Sequence, residues 1–278
     1  MKNLKPYNND CFAVHKSAVL KKDEGDLKKR LLKLDSEVEK EYKKFDAMFA
    51  LNQIETLTPN STLQASKDDL LTLYNYQSAV IRKVRENIRS QQIQTITSTC
   101  QNCTIDSINS LDHILPKSKY PEFVVNPKNL FPCCATCNSK KLNSVGKPGG
   151  QQFLNLYLDQ LPNVQYLFVN ITLDKNGDFD FTFHLNNVGG QVDKKVFALI
   201  QNHYTKLDLF SRMKFKSIEY LSEFQNKISS FKKLLPINQI QQSVSQSIAS
   251  DQNAYGINHW RCILEMELIY NPLFISKI

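Results

Sequence analysis

The chain has 278 residues, 41% of them hydrophobic, with a formal charge of +8 and a pI near 9.0. That composition excludes global disorder, and no apolar run reaches the roughly 18 residues of a membrane span. The cation excess favours a polyanionic partner, and Asp10, His15 and Lys16 interrupt the apolar "CFAV" near the start, so the chain reads as cytoplasmic without a signal-peptide core.

From 26 to 57, Leu27, Leu31, Leu34, Val38, Tyr42, Phe45 and Phe49 recur every three or four residues among charges, which predicts an amphipathic helix. "TPNST" at 58–62 ends it. A second helix is expected over 67–92, on the stripe Leu70, Leu73, Tyr74, Gln77, Ile81, Val84 and Ile88, with Ser66 and Asp69 marking its start. The two helices together predict an antiparallel helical hairpin over 1–95.

Residues 96–150 differ. Prolines 116, 121, 127 and 132 interrupt any helical period, and "GKPGG" at 146–150 closes the segment like a linker. The last region, 151–278, opens on "NVQYLFVNITLDKNGDFDFTFHLN", which alternates on both sides of Asn176-Gly177 and predicts a β-hairpin with a type I′ turn. Helices follow from about 191, over 207–234, over the Gln/Ser-rich 236–250, and over 257–270 up to Asn271-Pro272, with Trp260 as a core anchor. The expected fold class is α+β and mainly helical.

Seven cysteines, an odd number, argue against a disulfide framework. Four of them form two CxxC pairs, Cys100/Cys103 and Cys134/Cys137. Four thiolates at that spacing satisfy a tetrahedral structural zinc with no open position. Cys133 can replace Cys134, although the two-residue gap favours Cys134; Cys11 and Cys262 read as buried thiols.

Between the two pairs stand "DHILP" and then "NL", and the second pair itself reads "CxxCNxxK". This set resembles the HNH nuclease family, in the subgroup whose CxxC pairs hold zinc, over roughly residues 96–145. The resemblance implies two antiparallel strands and a helix around a divalent metal, the ββα-metal motif. It implies that His113 is the general base, that Asp112 ligates Mg²⁺ or Mn²⁺, and that Asn129 pins the loop between the strands. Asn138 stands where many members carry a last histidine; its amide oxygen would ligate the same hard cation.

Lys117, Lys119, Lys128, Lys140 and Lys141 flank these residues and are read as phosphate contacts to DNA. Local phrases such as "DHILPKSKYPEF" and the helical N-terminal region also resemble the HNH subunits of Septu-type anti-phage defence systems. That likeness implies a regulated DNA-degrading effector held by an ABC-type or AAA ATPase partner. The alternative reading is a catalytically inactive, zinc-stabilised module that binds nucleic acid or protein, and RNA stays open as a substrate.

Overall fold

The computed structural model describes residues 1–141 and 151–278; the linker expected at 146–150 lies outside them. The chain divides into two units, one of Asn3–Asn102 with Ser107–Gln160, the other of Met1–Lys2, Cys103–Asp106 and Leu161–Ile278.

In the first unit, helix α1 (Cys11–Leu20) starts where the Asp10 carboxylate accepts from the N–H groups of Phe12 and Ala13. Helix α2 (Asp26–Ala50) carries the predicted stripe, and Leu31, Val38, Tyr42, Phe45 and Phe49 are buried along it. Each such side chain contributes about 1.5–3 kcal/mol by leaving water. Helix α2 packs against α1, and Tyr42 and Phe45 both meet the ring of Phe123.

The expected helix over 67–92 is broken into α4 (Lys67–Leu71), after a short α3 (Ser61–Ala65), and α5 (Ala79–Ser90). The cause is local polar competition with the helical backbone. Asn75 Oδ1 accepts the N–H of Gln77 at 2.8 Å, and Ser78 Oγ caps a new helix on the N–H of Ile81 at 3.3 Å. The long antiparallel hairpin therefore does not form. Helix α1 was not foreseen, because its apolar residues show no one-sided periodicity.

Strand β1 (Ser110–His113) pairs antiparallel with β2 (Leu130–Cys133), Leu111 opposite Pro132 and His113 opposite Leu130. Helix α6 (Ala135–Lys141) follows at once and packs on β1.

In the second unit, β3 (Leu167–Leu173) and β4 (Phe179–Leu185) form the expected hairpin, Leu173 opposite Phe179. Leu167, Val169, Ile171, Phe181 and Phe183 are buried on one face, against helices α8 (Leu209–Lys232) and α10 (Trp260–Tyr270). The turn is not type I′. That turn needs positive φ at two residues, whereas of Asn176 and Gly177 only Gly177, at φ 83°, has it. Asp174 reorganises the loop by accepting the N–H groups of Asn176 and Asp178 on its carboxylate.

Helix α7 (Lys194–Lys206) starts under the Asp193 side chain, and α9 (Ile237–Tyr255) buries Ile240, Val244 and Ile248. Asn271 ends α10 and caps a short α11 (Pro272–Ser276). The described residues are thus mixed α+β and mainly helical, with two small two-stranded sheets among them. No helix among the described residues is long and apolar enough to cross a membrane.

Candidate metal centre and cleft

The sulfurs of Cys100, Cys103, Cys134 and Cys137 lie within 4.8 Å of one another, and all four residues are buried. Tetrahedral zinc at about 2.3 Å from each sulfur sets neighbouring sulfurs about 3.8 Å apart, so the cluster has the size and donors of a four-thiolate metal site. The Cys103 sulfur accepts the N–H of Ile105 at 3.4 Å, and the Cys134 sulfur that of Cys137 at 3.3 Å. Such bonds stabilise thiolates in their tight turns. Thr104 sits in the left-handed region at φ 58°, and its carbonyl accepts from Trp260 Nε1 at 2.9 Å. Cys134, not Cys133, joins the cluster. Cys133 closes β2 as a buried thiol whose pKa burial pushes up.

Beside this cluster, Ser110, Asp112, His113, Pro116, Lys117 and Asn138 line a cleft of about 340 Å³. Asp112 and His113 are consecutive on β1, and Asn138 reaches the cleft from α6. The Asn138 amide donates to Ser110 Oγ at 2.7 Å. Its Nδ2 also donates to the Leu111 carbonyl at 3.5 Å, which can only accept and so fixes the amide's flip, and Oδ1 has no protein partner among the described residues.

His113 Nε2 lies 2.9 Å from the carbonyl oxygen of Val124. The Tyr74 ring stands edge-on to the imidazole, with centroids 4.8 Å apart. Burial draws the His113 pKa down to about 4; the Val124 carbonyl opposes that shift, while Lys117 and Lys141 add to it. The imidazole is therefore neutral at pH 7.

Asp112 is 5% exposed, and burial raises its pKa despite the Lys141 ammonium 2.5 Å from its Oδ2. Lys141 Nζ also donates to the His113 carbonyl at 3.2 Å. A cation thus already rests on this carboxylate.

Asn129 is fully buried outside the cleft. Its Oδ1 accepts from Leu115 N at 2.7 Å, and its Nδ2 donates to the carbonyls of Leu115 and Phe123 at 3.0 and 3.2 Å. One amide thereby ties both ends of the loop that carries Val124. The five lysines divide. Lys117, Lys119 and Lys140 are exposed, whereas Lys128 bonds Asp46 at 2.7 Å and Lys141 bonds Asp112.

A stretch of 162 residues is 26% identical to "Protein ea31" of Escherichia phage lambda, covering 56% of this chain and 54% of that protein. The chain thus spans about half the length of that relative. No family model matches the chain. No solved structure matches it either.

Three features of the cleft have no signal in the sequence: the Val124 carbonyl, the Tyr74 ring and the Lys141–Asp112 pair. A backbone carbonyl is common to every residue type. The other two depend on a loop and a helix end whose placement only the fold decides.

Proposed function

We propose that this chain is a zinc-stabilised, metal-dependent endonuclease of the HNH type that hydrolyses DNA phosphodiester bonds. The observation that carries the reading is the tautomer of His113. A carbonyl oxygen can only accept, so Nε2 holds the proton and the lone pair is on Nδ1. Nδ1 has no protein partner among the described residues and is not a buried orphan, so it is within reach of solvent. A neutral imidazole so fixed takes a proton from water at Nδ1.

Asp112 and the free Oδ1 of Asn138 line the same cleft and fit a hard divalent cation, Mg²⁺ or Mn²⁺. When bound, that ion would supply charge to offset the negative charge that builds on the phosphate oxygens. Two protein oxygens make a weak site, so substrate phosphate would complete it. Lys117, exposed at the cleft edge and held over the Tyr74 ring at 5.3 Å, would meet a phosphate of the substrate. At the cysteine cluster the four-sulfur donor set selects zinc, and the ion there would act on folding only.

The decisive experiment is plasmid nicking with Mg²⁺ or Mn²⁺, wild type beside His113→Ala, on DNA and on RNA of the same sequence. Cleavage that survives in the variant rejects the assignment of the base.

One observation favours a second reading, a binding module without catalysis: Lys141 already neutralises Asp112. A protein that binds DNA but shows no ion-dependent cleavage would fit it. Participation in anti-phage defence beside an ABC-type or AAA ATPase is the finest part of the proposal and rests on the local phrases alone. Co-purification with products of neighbouring genes tests it.

A further inference from the structure

Arg82, Arg85 and Arg89 stand three and four residues apart on α5 and so share one helix face. All three line a half-enclosed pocket of about 360 Å³. None has an ion-pair partner among the described residues. Arg85 is held in place by the Tyr76 ring, its guanidinium carbon 4.0 Å from the centroid, and its Nε is buried without any hydrogen-bond partner.

The opposite wall is apolar. Leu111 and Pro132, register partners across β1 and β2, close it together with Ile108. Glu86 and Gln92 line the pocket beside the arginines, so the arginine side keeps a net positive charge, and with the apolar wall it matches a ligand with a multiply charged oxyanion at one end and a flat, weakly polar ring at the other. The volume lies in the range of pockets that hold small molecules, roughly 300–1,000 Å³.

We infer that this pocket binds a small nucleotide, with its phosphates on Arg82, Arg85 and Arg89 and its base against Leu111 and Pro132. The site is independent of the cleft. Leu111 and Pro132 line the arginine pocket, whereas Ser110, Asp112 and His113 line the cleft, and the two linings share no residue. The two sites share one thin hairpin, and a ligand on the arginines stiffens the strand that carries Asp112 and His113.

The test is isothermal titration of the full chain at 0.15 M salt, without added Mg²⁺ or Mn²⁺. The probes are AMP, ATP, adenosine, inorganic phosphate and a 20-base-pair duplex. AMP or ATP binds one to one and saturably, at least tenfold tighter than adenosine or phosphate. The double variant Arg82→Gln/Arg89→Gln weakens it at least tenfold, and His113→Ala leaves it unchanged. Both arginines are exposed, so the double variant keeps its fold, which circular dichroism checks. The inference is overturned by the absence of saturable nucleotide binding, by phosphate binding equally tightly, or by binding that ignores the double variant. Duplex binding that the double variant abolishes, without nucleotide binding, overturns it in favour of a DNA-backbone contact. Loss of cleavage in the nicking assay would leave it standing.

Discussion

The carbonyl oxygen of Val124 and Nε2 of His113 stand 2.9 Å apart, and this one bond decides which imidazole nitrogen can act as a base. Val124 is supplied by the loop between β1 and β2, so the loop sets the chemistry of the strand. Removing His113 as alanine should lower nicking by about 10²–10⁴-fold with the fold intact, the range for a general base. Two-dimensional ¹⁵N NMR of the wild type should show the proton on Nε2. A proton on Nδ1 would rule the base assignment out.

The cysteine cluster predicts about one zinc per chain by elemental analysis. Cys100→Ser and Cys137→Ser should lose the metal and unfold at lower temperature, since apparent structural zinc binding is of order 10 kcal/mol. Cys133→Ala should keep the metal, because Cys133 stands outside the four-sulfur group. Zinc loss in Cys133→Ala alone would reverse the choice between neighbours.

Lys141 and Asp112 form a buried pair, their side chains 12% and 7% exposed. Cutting one partner from such a pair strands a charge, and Lys141→Met should cost about 3–5 kcal/mol. If Asp112 also ligates a cation, Mg²⁺ or Mn²⁺ should raise the melting temperature of this variant more than that of wild type, because the ion replaces the lost ammonium. Equal responses in the two proteins would count against Asp112 as a ligand.

Glu122 is 1% exposed, and neither carboxylate oxygen makes a hydrogen bond; only its own backbone N–H comes near. Burial lifts its pKa from 4.5 to about 7, with Glu41 adding to the shift. The native state therefore holds this proton more tightly than the unfolded chain does. The resulting stability is complete below pH 4.5 and is lost as pH rises through about 7, by about 3 kcal/mol in all. Glu122→Gln should flatten that slope and be the more stable protein at pH 8. Denaturant midpoints at pH 5, 6, 7 and 8 measure it; a wild type that gains on the variant as pH rises would contradict the sign.

How far the fold was legible depended on where local chemistry and periodicity agreed. Helix α2 was readable because five buried residues repeat at helical spacing with no polar side chain competing for the backbone. The residues just before α5 carry the same spacing, yet Asn75 and Ser78 offer their own oxygens to the backbone and break the helix. Periodicity cannot report that contest. The β3–β4 hairpin was readable from alternation, but the loop geometry was not, because Asp174 outside the Asn-Gly pair takes the decisive bonds. In the candidate site, side chains that bear chemistry were visible as residue types, and the Cys134 choice followed from spacing. The inward turn of Lys128 and Lys141 was not visible, since charge in a sequence carries no direction.

The bond from Trp260 to the Thr104 carbonyl spans 156 positions of sequence. At synthesis rates of about 5–20 residues per second, the acceptor leaves the ribosome roughly 8–30 s before its donor. Throughout that interval the turn after Cys103 lacks its finishing clasp. Completion of the turn beside the cysteine cluster thus waits for α10, and a nascent chain stalled before Trp260 would lack that clasp.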